Sequence, residues 1–414
     1  MDKAILHCDL NNFYASVECL LDPTLAGKAV VVSGSVDERH GVVLAKNDKA
    51  KACGVITGEA VWQAKQKCPN LTTVAPHYDQ YMKFSKLTRE ICERYTDQIE
   101  SYGIDECWLD VTGSGIMGTG KEIAHMIRKD VKRELGLTVS VGVSFNKIFA
   151  KLGSDMKKPD AVTCIDRETF REKIWTLPAA EMLGIGKATN KKLAVFGIRT
   201  IGQVAQAPDD FWRLYFGKNG MALKRYANGE DNSAVAQVVP SNITSPVKSV
   251  SHGVTTIKDL ENSAEVWCVM LELVQGFGTS LREHKKKARG IAISIRNNEF
   301  FTKEWQCRLP HPTQSPTTLA QTAFALFERS YDWRLPIRSV TVRVIGLEDE
   351  DVPFQYDFFN DATIINKRER LDLAIESIRS RFGNNAIRNA VLCGDIKMSG
   401  ERNTEMIVPT GMLR

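Results

Sequence analysis

Ala4-Ile5-Leu6-His7-Cys8-Asp9-Leu10-Asn11-Asn12-Phe13-Tyr14-Ala15-Ser16-Val17-Glu18 is the stretch from which the rest of the chain is read. Ala4 to Asp9 predicts a strand that ends on a carboxylate. A helix begins at about Asn12, carries Phe13, Tyr14, Val17 and Leu20, and stops at Leu21-Asp22-Pro23. A second acidic stretch is Gly103-Ile104-Asp105-Glu106-Cys107-Trp108-Leu109-Asp110, whose first four residues lie between the apolar runs 99–102 and 107–111, placing Asp105 and Glu106 at the bend of a hairpin. If the two strands are neighbours, Asp9, Asp105 and Glu106 converge on one patch. Acids beside buried strands are unfavourable unless solvated, paired or metal-bound. Oxygen-rich patches suit Mg²⁺, and two such ions about 3.5–4 Å apart activate an attacking oxygen and stabilise a leaving one. Taken alone, a strand-end Asp or a hairpin Asp-Glu pair is ordinarily a solvated turn.

Outward from these stretches, strands are expected at 29–33 and 41–45, and helices at 47–53, 59–67 and 78–96. A helix at 120–135 and a strand at 138–143 complete a mixed region ending near 166. Residues 167–235 read as short helices, and Pro240 to Pro246 as a linker. Residues 248–348 form an α+β pattern, with strands near 247–254, 289–297, 303–308 and 338–347 and helices at 261–283 and 316–330. Acidic Glu348 to Asp351 then leads to a tail with a helix at 367–382.

The 414 residues suggest about three domains at about 150 residues each. With 43% hydrophobic and 25% charged residues, the composition excludes disordered, collagen-like and disulfide-framework classes. A net charge of +5 permits a polyanionic partner without naming one. No two of the ten cysteines stand three apart, which excludes zinc-knuckle and thioredoxin spacings. The apolar run at the N-terminus is too short for a signal peptide, and no stretch approaches the ~18 apolar residues of a membrane span. A reduced, cytoplasmic protein without a membrane segment, most simply a monomer, is expected.

Three ordered motifs carry a family resemblance. His7 to Glu18 resembles the opening motif of Y-family DNA polymerases, including the bacterial polymerase IV and UmuC-like branches, between which the sequence leaves the choice open. Gly103 to Asp110 resembles their second catalytic motif. Ser140-Val141-Gly142-Val143-Ser144-Phe145-Asn146-Lys147, with Ala150-Lys151-Leu152 and Asp155-Met156-Lys157-Lys158-Pro159, resembles a third. The resemblance implies an α+β multidomain right-hand polymerase with a palm (1–19 and 76–166) and fingers (20–75). A helical thumb (167–239), an α+β little finger (243–350) and a C-terminal tail (351–414) follow. It implies a low-fidelity, template-directed enzyme of translesion synthesis, acting on primer-template DNA and deoxynucleoside triphosphates. The alternative is a catalytically degenerate relative that holds DNA or the sliding clamp.

By the same resemblance, Asp9, Asp105 and Glu106, with the Leu10 carbonyl, hold two Mg²⁺ ions, for which Mn²⁺ can substitute. Asp9 and Asp105 bridge both ions, Glu106 serves the ion that binds the primer 3′-oxygen, and Asp110 stabilises the hairpin. Tyr14 takes the steric-gate position, where a ring clashes with a ribonucleotide 2′-hydroxyl. Without the motif it would read as a core tyrosine. Phe13 would lie beneath the sugar, and backbone N–H groups of 11–14, Asn12 among them, would face phosphate at the helix start. Lys158 matches the family's triphosphate lysine, and Lys51 stands where an arginine is usual. Asp48 replaces a usual tyrosine and would put negative charge near phosphate. Gly184, Gly186 and Lys187 lie in a helix-hairpin-helix-like segment that would offer N–H groups to DNA phosphate. Lys285, Lys286, Lys287 and Arg289, in a basic run before a strand, are candidates for backbone contacts, though a charge run is usually a solvated face. Gln355, Phe358 and Phe359 resemble a clamp-binding peptide.

Overall fold

The computed structural model describes residues 3–236, 247–353 and 362–398. They form two compact units, one from 3–33 and 42–236, the other from 34–41 together with the described residues after 246.

In the first unit β1 (Ile5–Leu10) runs into α1 (Phe13–Leu21). A small three-stranded sheet follows, made of β2 (Val30–Ser33), β3 (Val43–Lys46) and β4 (Thr72–Val74), with α2 (Asp48–Ala52) and α3 (Val61–Lys67). Next come α4 (Tyr78–Cys92), β5 (Ile99–Ser101), β6 (Glu106–Asp110), α5 (Gly120–Leu135), β7 (Val139–Ser144), α6 (Lys147–Met156) and β8 (Val162–Ile165). The main sheet has the order β5-β6-β1-β7-β8, with β1 antiparallel to both β6 and β7. Short helices α7 (Phe170–Ile174), α8 (Lys187–Val195), α9 (Ile201–Gln206) and the longer α10 (Asp209–Ala227) form a helical layer.

Strand alternation divides this sheet into two chemically different faces. Leu6, Cys8, Leu10, Cys107, Leu109, Val139 and Val141 enter one apolar core with Ile123, Ile127 and Val131 of α5. Pairing places His7 opposite Trp108 and Gly142, and Asp9 opposite Glu106 and Ser140, on the other face. Helix α6 lies on that second face. A methyl group at Gly142 would sit 1.8 Å from the Ala150 carbonyl oxygen, so helix and strand backbones touch without an intervening side chain. Away from the sheet, Phe149 and Leu152 of α6 enter the helical layer's core with Phe170, Ile174 and Trp212.

In the second unit β9 (Ser249–Leu260), β10 (Lys286–Asn297), β11 (Thr302–Thr313) and β12 (Ile337–Asp349) form an antiparallel sheet of order β11-β10-β12-β9. Helices α11 (Ser263–Leu273), α12 (Phe277–Glu283) and α13 (Pro316–Ser330) share its core through Val266, Phe277, Phe327, Ile291, Ile293 and Val342. Helix α14 (Ala362–Phe382) is tied to this unit by the Glu376–Arg282 ion pair and by Arg379 donating to Gln275 at 3.0 Å.

Two expectations need correction here. The helix expected at 261–283 is two helices, because the chain turns between Leu273 and Phe277. The basic run does not precede the strand: β10 begins at Lys286, so Lys286, Lys287 and Arg289 are strand residues.

Two expected outcomes follow from packing. Gly142→Ala drives a methyl into backbone, which cannot move aside as a side chain tip can, and destabilises the first unit by about 3 kcal/mol or more, read from urea unfolding. Half-buried His252 donates from Nδ1 to the Leu273 carbonyl at 2.9 Å, and burial depresses its pKa from 6.5 more than this bond raises it. The unfolded chain therefore takes up the proton first, so the stability contribution is full above about 6.5 and is lost as pH falls below it. Urea midpoints of the second unit should fall between pH 7 and 5.5, and fall less in His252→Asn.

Candidate active site

Leu10 N donates to the Asp105 carbonyl at 3.0 Å, which docks the 102–105 turn against the end of β1. The bend is shorter than the sequence implied. Glu106 is the first residue of β6, directly opposite Asp9, and Asp105 alone of the pair is in the turn. Asp110 accepts from Thr112 N at 2.9 Å at the far end of the strand, away from this patch. Cys8 and Cys107 alternate with the acids and point into the apolar core beneath them.

The three acids experience different fields. Asp9 is buried, and burial with the nearby Glu106 outweighs Lys158 to hold its pKa above the ordinary value. Burial, then Glu106 and Asp9, push Asp105 up to about 6. Glu106 is also raised by burial, but His7 and Lys151 overcome this and bring it down to about 2. Lys158 Nζ donates to Asp9 Oδ2 at 2.8 Å and pairs with Asp155 at 2.9 Å. Lys151 Nζ donates to Glu106 Oε2 at 2.7 Å, and His7 Nε2 is 3.4 Å from that oxygen. His7 is itself fixed by Ser154, whose Oγ is 2.8 Å from His7 Nδ1. Lys151 and Ser154 come from α6, and their placement over β1 follows from the bare contact at Gly142.

Among the described residues no three His, Cys, Asp or Glu side chains stand in metal-binding geometry as they are. The donor set nevertheless fits divalent cations. It is all oxygen, two of its acids are crowded enough to be raised, and two of its oxygens already hold cationic ammonium groups.

Tyr14 lies on α1 with its ring parallel to that of Tyr81, 4.1 Å between centroids and 7° between planes. Phe13 is buried beside both rings. Helix α1 starts from Asn12 in a left-handed conformation, φ 51°, without a side-chain cap. Asn11 N–H is bonded to the Thr138 carbonyl, which removes it from the expected phosphate-facing set. Asp48 is not an isolated charge, because its Oδ1 accepts from Asn12 Nδ2 at 3.0 Å. Burial and Lys51 depress the Lys46 ammonium, which marks a cationic pair in this region, while Lys49 is spent on the Gly27 carbonyl at 2.6 Å.

Gly184, φ 93°, makes the turn that leads to Gly186, the uncapped N-terminus of α8, with Lys187 as its first residue. In the second unit half of the basic run is paired with the acidic segment, Lys286 with Asp349 at 2.5 Å and Arg289 with Glu348, while Lys287 lines a cavity with Glu350 and Asp351. Lys285 precedes the strand with φ 50°. Gln355, Phe358 and Phe359, and the linker 240–246, lie outside the described residues.

Comparison with known proteins identifies this architecture. Residues 8–155 match the impB/mucB/samB family, and residues 247–358 match that family's C-terminal domain. The chain belongs to this family, that of the Y-family DNA polymerases. It is 46% identical to the DNA polymerase IV of Acetivibrio thermocellus over 95% of this chain and 98% of that one. It is 33% identical to that of Clostridium acetobutylicum, covering 95% and 98%. DNA polymerase IV 1 of Bacillus subtilis is also 33% identical, covering 93% and 92%. A solved Y-family DNA polymerase chimera superposes with a TM-score of 0.73 over 84% of this chain and 99% of its own, at 22% identity. The expected α+β right-hand polymerase fold is thereby found. Among the described residues of this Y-family polymerase, no helix is long and apolar enough to cross a membrane.

Sequence reasoning assigned no role to Lys151, His7, Tyr81 or Glu18. Lys151 and His7 stand inside the quoted motifs, but their pairing with Glu106 depends on the α6–sheet contact. As an expected outcome, Lys151→Met removes the ammonium that holds Glu106 down and raises that carboxyl's pKa by about one unit or more. Carboxyl-resolved NMR titration of the two proteins measures it.

Proposed function

We propose that this chain adds deoxynucleotides to a primer 3′ end on a DNA template, with Asp9, Asp105 and Glu106 as the catalytic carboxylates. The register that sets Asp9 opposite Glu106, with Asp105 on the adjoining turn, carries this reading. The enzyme is a DNA-directed DNA polymerase of the Y family, and its relatives' shared name favours polymerase IV over the UmuC-like branch. Two Mg²⁺ ions, or Mn²⁺, held by the three carboxylates and the Leu10 carbonyl would supply Lewis acidity at the primer 3′-oxygen and at the triphosphate.

The chain's own groups do the rest. Lys158 turns from Asp9 to the incoming triphosphate, and Lys51, beside Lys46, adds charge at a second point. Lys51 lacks arginine's bidentate fork and so binds phosphate less specifically. The uncapped N–H groups at the start of α1 face the same phosphates. Tyr14 excludes ribonucleotides by occupying the 2′-hydroxyl position, with Phe13 beneath the sugar. Gly184, Gly186 and Lys187 present backbone N–H groups and charge to a DNA phosphate. Of the basic run, Lys285 and Lys287 are the better candidates for DNA contacts, since Lys286 and Arg289 must first leave Asp349 and Glu348. On sequence pattern alone, Gln355, Phe358 and Phe359 engage the sliding clamp, and the enzyme acts in the cytoplasm.

Primer extension with Mg²⁺ and all four deoxynucleotides tests the assignment. Asp105→Ala should lose roughly a thousandfold or more in extension rate while its DNA affinity stays within about threefold, since phosphate contacts carry that affinity. Retained extension by Asp105→Ala would exclude the site. Lack of extension by the unaltered protein, with DNA binding intact, would favour the degenerate-relative alternative.

A further inference from the structure

One buried polar cluster near the site has no part in metal or phosphate binding. Glu18, 2% exposed, lies one turn beyond Tyr14 on α1, so both side chains share one face of that helix. Tyr81 of α4, fully buried, spans the two: its ring lies parallel to that of Tyr14 and its hydroxyl donates to Glu18 Oε1. His77 Nδ1 reaches Glu18 Oε2 at 3.0 Å, giving the carboxylate a second donor. Tyr78 packs edge-on against both rings, at 6.1 Å from Tyr14 and 5.7 Å from Tyr81.

A buried carboxylate is tolerated only with donors aimed at it. Glu18 therefore fixes the Tyr81 hydroxyl, and the hydroxyl fixes the plane of the ring. Two parallel rings this close leave no space for the outer one to tilt inward. Rejecting a nucleotide by one hydroxyl demands such a wall, because a ring that yields by a fraction of an ångström admits the extra oxygen.

We infer that Tyr81, anchored by Glu18, is a positioning residue for sugar discrimination: it braces the Tyr14 ring against displacement by a ribonucleotide's 2′-hydroxyl. The inference rests on the steric-gate reading of Tyr14. Removing the brace opens a void behind the gate, so ribonucleotides gain access while deoxynucleotides, which never pressed on the ring, lose little.

The test is single-nucleotide insertion of dCTP and of CTP opposite a template guanine, reported as the ratio of the two kcat/KM values. This ratio does not depend on the fraction of folded enzyme, so simple loss of stability leaves it unchanged. Tyr14→Ala serves as the control for the gate. Tyr81→Leu removes the ring, and Glu18→Met keeps the volume without the acceptor. Both should lower the ratio by about tenfold or more, through CTP insertion rather than dCTP. Glu18→Gln retains an acceptor for the tyrosine hydroxyl and should stay within about threefold of the unaltered enzyme. If Tyr14→Ala lowers the ratio and both Tyr81→Leu and Glu18→Met leave it unchanged, Tyr81 is core packing only and the inference is overturned. If Tyr14→Ala itself leaves the ratio unchanged, the gate reading fails and takes the inference with it. Should Tyr81→Leu not fold, Glu18→Met decides alone.

Discussion

The backbone contact between Gly142 and the Ala150 carbonyl is the constraint on which the acidic face of the sheet depends. A side chain at that position would hold α6 away from the sheet and lift Lys151 and Ser154 off β1. With helix and strand in direct contact, Ser154 fixes His7 and Lys151 reaches Glu106, while the chain leaving α6 brings Lys158 onto Asp9. The opposite side of α6 is buried among phenylalanines, and Ala150 packs with Ile5 and Trp108 on its sheet side, so the helix that carries Lys151 is held from both sides. Rigid placement of this kind keeps the Lys151 ammonium on Glu106 beside the crowded carboxylates.

The sheet also divides labour by alternation. One residue in two along β1, β6 and β7 enters a continuous apolar core, and its neighbours are the acids, His7, Ser140 and Gly142. The same strands thus provide both the stability and the site. A one-residue slip of β6 against β1 would bury Glu106 in hydrocarbon and expose Cys107, a register that burial forbids.

Much of this was legible in the sequence. The apolar runs, the acids at their ends and the three ordered motifs led to the mixed sheet and to the convergence of Asp9, Asp105 and Glu106 at one end of it, because local alternation and composition carry that information. Relations made by long-range packing were hidden. Glu106 reads as part of a bend until strand pairing is known. Asp48 reads as a stray charge until Asn12, 36 positions away, is seen to donate to it. The basic run reads as open to DNA until β12 brings Asp349 and Glu348 alongside. Tyr81 sits on an ordinary amphipathic helix, and nothing near it in sequence announces a partner on α1.

The two lysine–carboxylate pairs also offset the charge of Glu106 and Asp9 in the resting site and tie Lys158 to one of the carboxylates. Lys158 can neutralise Asp9 or a phosphate, but not both at full strength. On the proposed reading, cations on the carboxylates would release the lysine for a triphosphate, and a triphosphate that captured the lysine would bare Asp9 for a cation. Each ligand would then raise the affinity of the other by the same factor. With neither present Lys158 stays on Asp9, a contact that cation and triphosphate would together have to break.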